Sequence, residues 1–159
     1  MNPYAAQLGD RDALDVITKT PGELTKLVES LGPAGLERSL APGKWSARTI
    51  LCHLADTEMV FAFRLRQTLA EAHYVVQPFD QDAWARSYAA YDASAALAAF
   101  TSVRRWNVAF VKNLPPEVYS KPLTHPERGP MTFKVLLETM AGHDLNHLRQ
   151  FAQLSARQD

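Results

Sequence analysis

The chain has 159 residues, with 17 Lys plus Arg balancing 17 Asp plus Glu. That length suits one domain with a sizeable core, so residues 1–159 are read as a single domain. Zero formal charge argues against a global footprint for nucleic acid or an anionic membrane, and a single cysteine, Cys52, rules out an intramolecular disulfide.

The N-terminus lacks the basic-then-apolar pattern of a signal peptide, and no apolar run approaches the roughly 20 residues of a membrane span. The expectation is a cytoplasmic protein with no membrane or nucleic-acid partner.

In chain order, Leu14, Val16 and Ile17 have helical spacing. Thr20-Pro21 reads as a fresh start, with Thr20 as cap and Pro21 in the first turn. Leu24, Leu27, Val28 and Leu31 continue the period, and Gly32-Pro33 stops it. The first long helix is therefore expected to bend near Pro21. Residues 32–45 read as a connection. Ser46 caps the next helix, about 47–72, in which positions 46, 50, 53, 57 and 60 share one face, placing His53 beside Ile50.

Residues 73–79 read as a loop, and Asp80 caps a short helix. Asp92 caps a helix from Ala93 to about Asn113, with Trp106 and Trp84 expected in the core or at a dimer interface. Arg104-Arg105 reads as a solvated face. Residues 117–131 read as an irregular excursion or a short hairpin. Thr132 caps the last helix, to about Ser155. Four substantial helices and no sustained alternation imply an all-α four-helix bundle with short extra helices. Its two long loops, 32–45 and 114–131, are expected to cover one end.

On the last helix, Leu136, Met140, His143, His147 and Phe151 follow one another by steps of four, three, four and four. The two histidines thus continue the apolar stripe and face inward. Two buried imidazoles need partners for their ring nitrogens. A hydrogen-bonded core pair is one solution; a divalent metal is another, and imidazole suits zinc, nickel and iron(II). His53 is the natural third ligand. His73 and His125 fall in predicted loops and suit the role less. Asp144 stands where a zincin metalloprotease would carry glutamate, so a peptidase is not indicated. Cys52 points about one helical step away and reads as a small buried hydrophobe.

Two stretches resemble a known family. Trp45-Ser46 followed by Ile50-Leu51-Cys52-His53-Leu54-Ala55-Asp56-Thr57-Glu58 is similar to the first signature of the DinB superfamily. Gly142-His143-Asp144-Leu145-Asn146-His147-Leu148-Arg149-Gln150 is similar to the second. The resemblance implies a DinB/YfiT-like bundle with a three-histidine metal site at His53, His143 and His147. It also implies a small-molecule substrate, often a homodimer, and relatives that include bacillithiol transferases and a mycothiol-dependent maleylpyruvate isomerase. The leading expectation is transfer by a low-molecular-weight thiol, bacillithiol or mycothiol, activated on zinc, nickel or iron. A metal-dependent hydrolase and a non-enzymatic binding bundle are the alternatives. Asp56, Glu58 and Asp144 are candidates to orient ligands or relay protons. Asn146 and Gln150 are candidate donors that orient the histidines, with surface polar residues as the alternative, and Trp45 is expected to pack at the helix start, with the mouth of the site as the alternative.

Overall fold

The computed structural model describes residues 1–157. Four long helices dominate it: α2 (Ala13–Leu36), α3 (Ala47–Ala70), α5 (Ala93–Lys112) and α6 (Phe133–Ser155). Two short helices, α1 (Ala5–Leu8) and α4 (Gln81–Ala85), and three short strands, β1 (Tyr74–Val75), β2 (Pro122–His125) and β3 (Gly129–Thr132), complete the regular structure with two 3₁₀ turns. Most caps follow the sequence. The side chains of Ser46, Asp80, Asp92 and Thr132 each accept a backbone N–H of the helix they open.

The start of the first long helix differs from expectation. Asp12, not Thr20, caps it, accepting from the Asp15 amide at 2.7 Å. The Thr20 hydroxyl instead donates to the Val16 carbonyl at 2.9 Å, a bond made from inside a helix. The backbone stays helical through Pro21. The break lies at Gly32, whose φ of 60° belongs to the left-handed region, and a short helical piece then continues to Leu36.

Apolar side chains form two clusters. One gathers Ile17, Leu65, Leu123, Phe133 and Met140. The other gathers Leu24, Leu51, Phe100, Phe151 and Leu154. Along every long helix, buried polar residues fall between the stretches that enter these clusters: Thr20 on α2, Thr57 and Glu58 on α3, Arg104 and Asn107 on α5, and His143, Asp144 and His147 on α6, with His53 one turn before Thr57. The bundle therefore carries a polar layer across its middle.

The clusters also give the helix directions. Helices α2 and α6 run from the first cluster to the second, and α3 and α5 run the other way. Helix α2 packs on α6 and α5, whereas α3 packs on α5 and α6; α2 and α3 barely touch. Parallel helices are thus neighbours, and the order is up-down-down-up. This topology explains the long connections. Residues 37–46 cross a diagonal of the bundle at the second-cluster end, and residues 113–132 cross the other diagonal at the opposite end. The two loops do not cover one end, as their length alone suggested. Residues 71–92 must return along the bundle, because α3 and α5 point the same way.

The predicted loop at 73–79 contains β1, which pairs in parallel with β2, and β2 pairs antiparallel with β3 as the hairpin reading allowed. Their inward residues Tyr74, Leu123 and Met131 join the first cluster. Trp106 is 70% exposed and Trp84 40%, so neither is a core residue. Arg104 is 1% exposed, so only Arg105 belongs to a solvated face. No helix among the described residues is long and apolar enough to cross a membrane.

Candidate metal centre

His143 and His147 stand one turn apart on α6, and the antiparallel neighbour α3 brings His53 to them. All three are buried. Nε2 of His143 lies 3.1 Å from Nε2 of His53 and 3.1 Å from Nε2 of His147. One nitrogen from each ring falls within 4.8 Å of the others. A ring nitrogen either donates or accepts, so His143 Nε2 cannot satisfy both neighbours with two full hydrogen bonds. A cation can take all three lone pairs at once. Nitrogens at tetrahedral positions around zinc lie about 3.3 Å apart, which is close to the two shorter separations here.

The environment keeps the rings neutral and available. Burial, reinforced by His147, pushes the His53 pKa down to about 3. Burial, then His147 and His53, hold His143 well below the ordinary range. His147 is lowered by burial, with Gln150 and Asp144 partly offsetting it. His147 Nδ1 lies 2.7 Å from Gln150 Oε1. With the ring neutral and the amide oxygen accepting, Nδ1 carries the proton and Nε2 keeps its lone pair. Gln150 thus orients the ring as an acceptor, where the sequence reading expected a donor. Asn146 lines the cleft instead, and Trp45 does more than pack at a helix start: its ring stands 5.1 Å from that of His53.

Two of the acidic candidates, Glu58 and Asp144, turn away from the imidazoles toward Arg104, and Asp56 lines a separate pocket with Cys52 and Tyr91. Arg104 donates to both oxygens of Asp144, at 2.5 and 3.0 Å, and to Glu58 Oε2 at 2.6 Å. Asn107 donates to the other Glu58 oxygen at 2.7 Å. Burial opposes the charge on Arg104, but Asp144 and Glu58 more than offset this and raise its pKa. Burial raises the Glu58 pKa while Arg104 pulls it back. Neither carboxylate joins the histidine cluster, which among the described residues contains only the three imidazoles. His73 and His125 lie elsewhere, on the strand side: His73 pairs with the Thr124 hydroxyl and His125 receives the Glu127 amide.

A cleft of about 600 Å³ opens onto His53 and His147. Tyr4, Lys44, Gln81 and Asn146 contribute to its walls. The diagonal connection after α2 and the return segment after α3 therefore both shape the entrance. Sequence reasoning missed Tyr4, whose ring lies edge-on to His143 at 5.4 Å. It also missed Arg104; the one available signal was its helical spacing from Phe100, Asn107 and Val111, which puts it on the inner face of α5.

Comparison with known proteins agrees with this arrangement. The sequence model of the DinB superfamily matches residues 17–151. A protein of Oceanobacillus iheyensis bearing a metal-dependent hydrolase name is 27% identical over 151 residues, covering 92% of this chain and 86% of its own. "Putative metal-dependent hydrolase YfiT" of Bacillus subtilis is 26% identical over 148 residues, covering 91% and 83%. The solved structure of YfiT, described as a four-helix bundle of unusual topology, superposes with a TM-score of 0.84 at 24% identity, covering 91% of this chain and 85% of that one.

Proposed function

The chain belongs to the DinB superfamily, and we propose that it is a metal-dependent enzyme acting on a small molecule, with His53, His143 and His147 as the metal ligands. The observation that carries this reading is the convergence of three buried imidazole nitrogens, with His53 and His147 opening onto a cleft. A divalent cation held there would supply Lewis acidity, lowering the pKa of a thiol or water that coordinates it.

The chain's own residues supply the rest. Gln150 fixes the tautomer of His147. Burial disfavours protonation of all three rings, so the site stays competent at neutral pH. The diagonal loop, through Lys44 and Trp45, and Gln81 of α4 bound the space in which a substrate would sit.

The carboxylates around the histidines bear on the chemistry. Glu58 and Asp144 are committed to Arg104, which leaves Asp82, on the cleft wall, as the carboxylate placed to take a proton. A thiol that reacts as its own thiolate needs no such base. We therefore place thiol-dependent transfer first, with bacillithiol or mycothiol as the co-substrate class. Hydrolysis is the second reading, favoured by the names of the relatives.

The test is to load the protein with zinc, nickel or iron and assay a chloro-aromatic electrophile with and without each thiol, beside a panel of esters and amides. Turnover that needs both metal and thiol supports transfer. Metal-dependent turnover of an ester or amide without thiol supports hydrolysis. Turnover indifferent to metal, or unaffected by His147→Ala, contradicts both.

A further inference from the structure

A second cavity, of about 410 Å³, lies between the outer side of α3 and the return segment that follows β1. Its walls include Phe79 and Trp84, whose ring centroids stand 4.8 Å apart, and the half-exposed Met59 and Phe63. Two polar side chains line it as well. Arg64 is 8% exposed and Tyr74 4%.

Neither has the partners its chemistry calls for. Arg64 carries five N–H donors, yet among the described residues it makes one hydrogen bond, from Nη2 to the Gln77 carbonyl at 3.0 Å, with the Phe79 ring centroid 5.7 Å from the guanidinium carbon. The groups that act on its charge are Tyr74 and Arg128, neither a carboxylate, and burial lowers its pKa. The contrast with Arg104 is direct: that guanidinium, buried still more deeply, is matched by two carboxylates. The Tyr74 hydroxyl is buried without a hydrogen-bond partner; the Gln77 amide approaches it without completing a bond. A buried cation without a counter-charge is costly, and natural interiors pair such groups or bind an ion with them. Aromatic walls around a few convergent polar groups are the usual make-up of a small-molecule site.

We propose that this cavity is a second ligand site, for a small aromatic carboxylate: the carboxylate meets Arg64 and the Tyr74 hydroxyl, and the ring lies against Phe79 and Trp84. The free Arg64 nitrogens can grip a carboxylate side-on, and Tyr74 donates to it. The site is distinct from the histidine cleft. The two lie on opposite sides of the same return segment, with Gln81 and Asp82 facing the cleft and Phe79 and Trp84 facing this cavity. It needs no metal, so it stands whether or not the histidines bind one.

The three tryptophans make a test with a built-in control. Trp84 lines this cavity, Trp45 lines the histidine cleft, and Trp106 lines neither. Each gives one indole N–H signal in a nitrogen-15 NMR spectrum, assigned by single Trp→Phe substitutions. Metal-free protein is titrated with benzoate and phenylacetate, and in parallel with benzamide and phenylacetamide. The expected result is a saturable shift of the Trp84 signal with the carboxylates, at least tenfold weaker with the amides and with Arg64→Met. Tyr74→Phe should weaken binding by a smaller factor. Movement of Trp45 alone, no saturable shift of Trp84, or equal affinity for acid and amide overturns the proposal. Should Arg64→Met fail to fold, the acid–amide comparison on the unaltered chain decides.

Discussion

Arg104 Nη1 donates to the Ile17 carbonyl at 3.1 Å. In an uninterrupted α-helix that carbonyl would accept the N–H of the residue four positions on, which here is Pro21 and has no N–H. A side chain from α5 thus fills the acceptor that proline leaves empty in α2. The same guanidinium joins Asp144 on α6 and Glu58 on α3. One residue therefore ties all three other long helices at the level of the polar layer, and both histidine-bearing helices are among them.

Arg104→Met should be among the most damaging single substitutions outside the histidines. It strands two buried carboxylates and a helix carbonyl, and breaking a buried ion pair from one side typically costs about 3–5 kcal/mol. Arg104→Lys keeps the charge but not the fork, and should recover only part of that loss. Urea unfolding of the three proteins measures it. A loss below about 1 kcal/mol for Arg104→Met would show that the network is dispensable.

That network also marks the boundary of what the sequence discloses. Helix ends were legible because caps are local: Ser46, Asp92 and Thr132 each act on an amide three residues away. The inward stripe of α6 was legible from spacing, and so were His143 and His147. The helix is not interrupted at Pro21, and the partner for the carbonyl left empty there is Arg104, 83 positions further along the chain. The strand β1 was read as loop because two residues carry no period; its partner strand lies about 50 positions away. Arg104 looked solvated beside Arg105, since adjacent helical residues point roughly 100° apart and a doublet hides which one faces in.

Gln150→Leu should weaken metal binding while leaving the fold intact. Its amide oxygen accepts the His147 Nδ1 proton, and losing such an outer partner usually costs about 10–100-fold in affinity. Competition against a chromophoric chelator reads this directly. Affinity unchanged within about twofold would mean that His147 is oriented by packing alone.

Metal-free protein should lose stability as pH falls below about 6.5, the value the imidazoles take when unfolded. The folded pKa values are depressed, His53 to about 3, so in this window the unfolded chain binds more protons and unfolding becomes easier as pH drops. His53 alone contributes a slope approaching about 1.4 kcal/mol per pH unit between 6.5 and its folded value of about 3. Chemical unfolding at pH 7.5, 6.5 and 5.5 should show the decline, and His53→Leu should flatten it. An identical pH profile in the variant would contradict the burial assigned to His53.

Gly142→Ala tests the seat of the N-terminal segment. A Cβ there would fall 2.6 Å from both the Cβ and the carbonyl oxygen of Tyr4, and one of these contacts is backbone. The segment carrying Tyr4 must then move off α6, at a cost of about 1–3 kcal/mol for an overpacked site. The displaced Tyr4 ring would widen the cleft beside His143. A melting temperature within a degree or two of the unaltered chain would show that the segment yields freely.

The central claim is that His53, His143 and His147 hold one metal ion. Its most direct test is equilibrium uptake of cobalt(II) by metal-free protein, read by the visible absorption of the ion and by elemental analysis after gel filtration. One equivalent per chain is predicted, with a spectrum of nitrogen-rich coordination, and each of His53→Ala, His143→Ala and His147→Ala should lower the affinity by several orders of magnitude. No uptake by the unaltered chain, or uptake that survives His147→Ala unchanged, would contradict it.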